Sequence, residues 1–491
     1  MILNRDSCVA VVGAGAMGSG IAQVAARAGH RVVLVDTGEG ALNRSRVGLT
    51  GALEKLVGQG KMDALERDGI LARMHWTTDM AEVAPARLVV EAIIEDRAIK
   101  SALFVRLAEL VAPDAILASN TSSLSIDEIG AHIPQPERFA GLHFFNPVPV
   151  MKLVEVVPGQ RTDAMVTEAL LALMQQWGKV AVRVRDVPGF IVNRVARPYY
   201  AEGFAALGEG IDAAAIDQAL TGAGGFRMGP LMLADMIGHD VNYVVARSVY
   251  DAYDGHTRFR PQPSQQALYE GGTLGRKSGG GVYDYGASLP QPVYVTPGSA
   301  PDSIGVSRDH QGLVAIVEQA RQAGLAVIVA EDLPADTLRV GEVVIALGDG
   351  RPLSRRVEVD VLLDQARDFG AAATWIISAH TDASAAAAAG LADRLGKQTL
   401  LLPDRPGLIV LRTLAQLANA AADAVEDAVA SAQDIDAAMR FGANHPEGPL
   451  EWAGRYGHAR LAAALSHIAD ETGDAMYRPS PYFGSVEDLA Q

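Results

Sequence analysis

The chain has 491 residues, too many for one ordinary core, so two to four domains are expected. Half of it is apolar (49%) and 20% is charged, the balance of a folded soluble protein, and no uncharged apolar stretch is long enough to span a bilayer. A formal net charge of −16 sets the surface against a phosphate backbone, so no nucleic-acid partner is expected.

Arg5 and Asp6 run straight into a glycine turn, so no signal peptide is expected. Cys8 is the only cysteine, which rules out an intrachain disulfide and fits a cytoplasmic protein. It sits in the first apolar strand, where buried filler is the bland reading. That strand candidate, Cys8–Val12, leads into Gly13, Gly15 and Gly18, with Ala16 and Met17 between the last two. The second, Arg31–Val35, closes on Asp36. Glycines directly after a strand, a helical pattern next and an acid at the following strand end form a dinucleotide signature. Gly13 allows the tight turn, Gly15 lets backbone approach a pyrophosphate, and Gly18 lets helix and strand pack. The helix N-terminus offers N–H groups to phosphates. Asp36 would accept from ribose hydroxyls and repel an added phosphate, which favours NAD over NADP. The bland alternative is a glycine turn in another Rossmann-like protein, with Asp36 as a strand-end cap.

A long helical pattern, Ala41–Gln59, follows Asp36 and is placed to carry ligand contacts. Strand candidates Leu88–Ala92 and Ile116–Ser119 continue a parallel sheet of βαβ units. Asn120-Thr121-Ser122-Ser123 follows the last of these, at the carboxyl end where open sheets bind ligands. Its hydroxyls suit a substrate oxygen or a ribose, and equally a helix cap. His143 and Glu155 then lie in two extended runs flanking the proline-rich turn Asn146–Val150. Such a turn returns Glu155 to the side of His143, where a carboxylate would fix the tautomer of a proton-transferring imidazole. A core histidine bonded to a buried glutamate fits the spacing as well. No metal site is expected.

At Asp186-Val187-Pro188-Gly189-Phe190-Ile191-Val192-Asn193-Arg194 the texture turns helical and stays so to about Arg258. Asn193 is placed to hold a carbonyl oxygen or to cap a helix. A loop-rich tail follows at Arg276–Gly281, and residues 287–303 read as a linker. A third segment has short strands at Ala326–Ala330, Val343–Leu347, Trp375–Ala379 and Thr399–Leu402, with Gly348-Asp349-Gly350 as a turn rather than a phosphate loop. The last segment repeats the second: Asp404–Arg412 matches Asp186–Arg194 at an offset of 218 residues, and Gly448-Pro449-Leu450 matches Gly229-Pro230-Leu231 at 219. Asn193 becomes Leu411 in the repeat, so the second copy is expected to be catalytically silent.

The blocks Ser119–Leu124, Gly141–Pro147, Lys152–Val156 and Pro188–Arg194 resemble, in order and spacing, the (S)-3-hydroxyacyl-CoA dehydrogenases. The resemblance runs through residues 5–286, and the four-part layout resembles the long bacterial form associated with 3-hydroxybutyryl-CoA and with 3-hydroxyadipyl-CoA in phenylacetate breakdown. It implies NAD-dependent, reversible oxidation of an acyl-CoA substrate. His143 would be the base, Glu155 its orienting carboxylate, Ser122 a partner of the reacting oxygen, and Asn193 a substrate contact. Glu95, Lys100, Asn120 and Lys277 fall at cofactor positions. Ala52 departs from a serine position in the CoA-contacting helix, so Arg44, Arg46, Lys55 and Lys61 are the candidate phosphate contacts, with a solvated helix face as the alternative. The implied architecture is α/β plus all-α: an N-terminal Rossmann-type domain (1–185), a helical domain (186–286), a linker (287–303), a reduced Rossmann-like insert (304–403) and a duplicated helical domain (404–491). Relatives with one helical domain dimerise through it. The duplicate is placed to cover that face within one chain, although a homodimer stays open. Two other functions stand beside this reading: a dehydrogenase of a free hydroxy or sugar acid, and a non-catalytic NAD-binding scaffold.

Overall fold

A computed structural model describes residues 3–484. Residues 1–2 and 485–491, the outer ends of the first and last expected segments, lie outside the described residues. Among those described, no helix is long and apolar enough to cross a membrane.

The first sheet has eight strands: β1 (Cys8–Val12), β2 (Val32–Val35), β3 (Met74–Thr77), β4 (Ala86–Glu91), β5 (Ile116–Ser119), β6 (Phe139–Phe144), β7 (Leu153–Pro158) and β8 (Val180–Arg183). Their order is β3-β2-β1-β4-β5-β6-β7-β8, parallel throughout except where β6 meets β7. β1 and β2 are apolar and buried along their whole length, as strands covered on both faces must be. The order reverses between β1 and β4, which opens a crevice at the carboxyl ends of those strands. The Ala16–Arg27 helix buries Ile21, Ala22, Val24, Ala25 and Ala26 against the core beneath it.

A second sheet holds β9 (Ser303–Ser307), β10 (Ala326–Ala330), β11 (Thr337–Val340), β12 (Val343–Leu347), β13 (Val361–Leu363), β14 (Thr374–Ala379) and β15 (Gln398–Leu401), in the order β10-β9-β11-β12-β13-β14-β15. It is mixed, and its last four strands pair parallel, antiparallel, parallel. β5 to β8 pair in that same sequence. The linker is laid along the second sheet: Val295 N–H donates to the Thr399 carbonyl at 2.9 Å.

The helical repeat is visible in backbone angles. Gly189 and Phe190 have φ of +78° and +48°, and Gly407 and Leu408, 218 residues on, have +71° and +44°. Gly238 and Gly457 match at +97° and +99°. A positive φ is costly for Phe and Leu, so its recurrence marks a conserved turn rather than an accident of sequence.

The chain divides into two compact units, Met1–Val192 with Asp427–Ala443, and Asn193–Glu426 with Asn444–Gln491. These units cut across the sequence segments: a stretch of the last segment belongs with the first sheet. Within the second unit the two helical copies are joined through the Arg197–Gly208 and Val410–Glu426 helices. Arg405 grips Glu209 with two bonds of 2.8 and 2.9 Å.

Candidate active site

β1 ends at Val12, and the chain turns through Gly13-Ala14-Gly15 into the Ala16–Arg27 helix. Gly13 has φ +107°, and a β-carbon there would lie 2.5 Å from the Ala92 carbonyl oxygen. Only glycine allows the ends of β1 and β4 to approach so closely. At Gly15 a β-carbon would meet nothing within 4 Å, so this backbone faces open space. At Gly18 it would collide with the Gly13 carbonyl oxygen, which ties helix to turn. Gly15 supplies no side-chain cap, so the first-turn N–H groups, those of Ala16 and Met17 included, stay available to an anion. Asp36 follows β2, its Oδ2 accepting from Ala14 N–H at 2.8 Å and its Oδ1 from Gly38 N–H at 2.9 Å. Open backbone, an uncapped helix start and a carboxylate pinned beside them fit a dinucleotide with an unphosphorylated ribose.

A groove of about 390 Å³ extends from this turn, lined among others by Gly15, Arg44, Ser45, Ala52 and Pro147. Arg44 is therefore the one of the four candidate cations that faces this groove. Arg46 is turned elsewhere on the same helix, its guanidinium 5.1 Å from the centre of the Trp76 ring. Lys55 and Lys61 are exposed and do not line the groove.

Beyond β4 and β5 lies a polar cluster whose centre the sequence reading missed. Glu91 is wholly buried at the end of β4. It accepts from Ser119 Oγ at 2.7 Å and from Lys100 Nζ at 2.5 Å. Lys100, also buried, reaches Glu95 Oε2 at 3.2 Å. Glu95 accepts in turn from Thr121 Oγ1 at 2.6 Å and Ser122 N–H at 2.9 Å. Burial pushes the Glu95 carboxyl up, but the Thr121 hydroxyl and the Lys100 ammonium outweigh it and hold the group below its ordinary value. Asn120 Oδ1 accepts from Phe144 N–H at 2.9 Å, which links this loop to β6. The signal for Glu91 was present: a charge ending the apolar run Leu88-Val89-Val90, nine residues before a lysine.

His143 and Glu155 face each other across the antiparallel pair β6 and β7. His143 Nδ1 lies 2.7 Å from Glu155 Oε2, and both side chains are buried. Glu155 Oε1 accepts from Ile191 N–H at 2.9 Å and Val192 N–H at 3.1 Å. A carboxylate in this role accepts, so Nδ1 is the donor in the bond and Nε2 is the ring nitrogen left outside it. Phe145 and Phe190 pack on the ring at centroid distances of 4.5 and 5.8 Å. The turn between β6 and β7 is tied down by Lys179, whose Nζ donates to the Val148 and Met151 carbonyls at 2.5 and 2.7 Å. Burial pushes that ammonium down to about 8. β6 runs parallel to β5, so His143 emerges at the same sheet edge as the glycine turn, with β4 and β5 between.

Asn193 and Lys277 belong to the second compact unit. Asn193 lies in the short Val192–Val195 helical turn directly after the Glu155-binding amides, and Lys277 forms an ion pair with Asp240.

The second sheet shows what the repeat has lost. β7 meets β8 from Leu153 opposite Val180, and β14 meets β15 from Thr374 opposite Gln398. Val180 and Gln398 are 218 residues apart, the repeat offset, so Ile376 stands where Glu155 stands. Asp364 N–H donates to the Ile376 carbonyl at 2.8 Å, which puts Asp364 in the place of His143. Asp364 has taken over the carboxylate's task across the strands, accepting from Ile409, Val410 and Leu411 N–H at 2.7 to 3.0 Å. An aspartate held by these amides opposite an isoleucine is not a general-base pair.

Residues 8–187 match the family described as 3-hydroxyacyl-CoA dehydrogenase, NAD binding domain, and residues 189–285 and 407–489 match 3-hydroxyacyl-CoA dehydrogenase, C-terminal domain. The chain is 42% identical over 481 residues to a 3-hydroxyadipyl-CoA dehydrogenase of Escherichia coli, spanning 98% of this chain and 97% of that protein. It is 40% identical over 284 residues to a 3-hydroxybutyryl-CoA dehydrogenase of Mycobacterium tuberculosis, 56% of this chain and 98% of that one. The crystal structure of 3-hydroxybutyryl-CoA dehydrogenase from Escherichia coli superposes with a TM-score of 0.89 at 40% identity, covering 99% of both chains.

Proposed function

The chain belongs to the 3-hydroxyacyl-CoA dehydrogenase family, and from that premise we propose how its own residues carry out NAD-dependent oxidation of a (S)-3-hydroxyacyl-CoA to the 3-oxoacyl-CoA. The carrying observation is the buried His143–Glu155 pair at the sheet edge that holds the glycine turn. Gly15 and the N–H groups of Ala16 and Met17 would hold the pyrophosphate, Gly13 and Gly18 shape the turn that presents them, and Asp36 would hold the adenosine ribose. NAD held there would supply the hydride acceptor for C3 of the substrate. His143 Nε2 takes the proton of the 3-hydroxyl, and the Glu155 carboxylate balances the imidazolium that results. Ser122, presented by the Glu95-braced loop, bonds the reacting oxygen, and Asn193 and Lys277 are assigned to substrate and cofactor. Glu95, Lys100 and Asn120 shape the loop beside the cofactor. Arg44 is the leading contact for CoA phosphates, ahead of Arg46, Lys55 and Lys61, because it alone of the four lines the groove.

The test is a survey of initial rates with 3-hydroxybutyryl-CoA, longer esters and 3-hydroxyadipyl-CoA, set against free 3-hydroxybutyrate. NADH formation with the esters and none with the free acid is expected. Equal turnover of the free acid would remove the CoA assignment, and silence across all esters would favour a scaffold.

Asp36 carries the cofactor preference. Asp36→Asn should raise KM for NAD about tenfold or more, since a hydrogen bond to a charged group contributes about 1.5–3 kcal/mol. The preference for NAD over NADP should narrow at the same time, because the charge that repels a 2′-phosphate is gone. Steady-state kinetics with both cofactors checks this.

A further inference from the structure

The strand that carries Glu155 is covered by a helix from far along the chain. The Ala432–Gly442 helix, which belongs to the second helical copy, packs on β7 and β8. Residues Asp427–Ala443 fall in the first compact unit, and Arg185 N–H donates to the Val429 carbonyl at 2.8 Å. Strand residues alternate between faces. Val154 and Val156 point into the main core, so Leu153 and Glu155 share the opposite face. Ile435, Ala438 and Met439 of the helix are fully buried.

The contact at the end of this helix is specific. A β-carbon at Gly442 would collide with Leu153 Cδ2 and lie 3.0 Å from Val192 Cγ2. Leu153 is the neighbour of Glu155 along the same strand face. Val192 supplies one of the two N–H groups that hold Glu155 Oε1. Gly442 thus abuts the strand-face neighbour of Glu155 and one of the two residues whose amides hold its carboxylate.

The second unit contains the mirror arrangement. The Ala213–Gly222 helix of the first copy packs on β14, Ala373 N–H donates to the Gly222 carbonyl, and a β-carbon at Gly222 would lie 2.5 Å from Thr374 Oγ1. Thr374 is the counterpart of Leu153. Each helical copy therefore lends this helix to the sheet of the other copy. Only the first sheet has a histidine–glutamate pair for the helix to act on.

We propose that the Ala432–Gly442 helix is a positioning element for the His143–Glu155 pair, acting through Gly442 on Leu153 and Val192. The proposal rests on the dehydrogenase reading above, and gives the silent second copy a role in the active site of the first. It requires that a small push at Gly442 be felt in kcat rather than in cofactor binding, because a displacement near 1 Å at a catalytic group costs about 10²-fold.

The experiment uses the full chain with Gly442→Val, Leu153→Ala and the double variant, assayed with 3-hydroxybutyryl-CoA and NAD. Gly442→Val should lower kcat about tenfold or more and leave KM for NAD within about twofold. The double variant, with room made at residue 153, should return to the kcat of Leu153→Ala alone. Wild-type kcat in a folded Gly442→Val protein overturns the proposal, as does a loss that the double variant does not relieve or one that appears equally in KM for NAD. Should the valine variant fail to fold, Gly442→Ala carries the same β-carbon collision and is judged by the same outcomes. A readout independent of turnover separates this proposal from the dehydrogenase reading. The downfield proton resonance of His143 Nδ1–H, identified by its loss in His143→Ala, should shift in Gly442→Val and return in the double variant. An unmoved resonance sinks the positioning role even if no ester is turned over; a wild type inactive on every ester sinks the dehydrogenase reading alone.

Discussion

Replacing His143 with alanine is expected to lower kcat by about 10²–10⁴-fold, the usual contribution of a positioned general base. The expectation comes from the arrangement around the ring. Glu155 Oε2 holds Nδ1 at 2.7 Å, and Glu155 Oε1 is itself held by two backbone amides. Nε2 is therefore the one ring atom left to take a proton. Alanine removes that acceptor and leaves Glu155 Oε2 unmatched, at a cost of about 1–3 kcal/mol, while Ile191 and Val192 still hold the carboxylate. The glycine turn and Asp36 do not touch His143, so KM for NAD should stay near the wild-type value. Stopped-flow and steady-state rates with NAD and a 3-hydroxyacyl-CoA measure the loss. Retention of wild-type kcat would show that the substrate proton leaves by another route.

The cofactor half of this site was legible because its chemistry is local. A glycine turn, the helix it opens and the acid that ends the next strand lie within 36 residues, and the structure shows Asp36 bonded to Ala14 N–H. The His143–Glu155 pair was half legible. Its two extended runs are β6 and β7, but spacing alone did not separate a catalytic histidine from a core one, and the amides of residues 191 and 192 that hold Glu155 come from a segment with no local signal for that contact. Strands β3, β8, β9, β11 and β13 went unnoticed because runs of three to five residues carry little period, and β3 has one buried position in four. The helical repeat was read from matched blocks at a near-constant offset. Its extension into the sheets was not, because β12 to β15 keep the strand pairing of β5 to β8 and almost none of the side chains. Ile376 for Glu155 and Asp364 for His143 leave nothing for a sequence comparison to match. The placement of the Ala432–Gly442 helix on β7 is a long-range contact with no local signature at all.

Arg412→Ala is expected to destabilise the second unit by about 3–5 kcal/mol, the cost of leaving a buried charge without its partner. Arg412 lies on the Val410–Glu426 helix and Glu202 on the Arg197–Gly208 helix, so the pair joins the two helical copies. Arg412 Nε is 2.8 Å from Glu202 Oε2, and the Tyr477 hydroxyl donates to Glu202 Oε1 at 2.7 Å. The guanidinium also stacks over the Tyr477 ring, 4.6 Å from its centre. Burial works against the Arg412 charge, but Glu202, the Tyr477 hydroxyl and Glu209 outweigh it and raise its affinity for the proton. Alanine strands Glu202 at 2% exposure with one tyrosine for company. Urea unfolding followed by circular dichroism reads the loss directly. The double variant Arg412→Met with Glu202→Gln should recover most of it, since removing both charges together is often neutral where removing one is not. Recovery would show that the clasp between the copies depends on apolar packing, with the ion pair setting which helix faces which. A single variant as stable as wild type would mean that Glu202 finds water or another cation, and that the two copies are held together elsewhere.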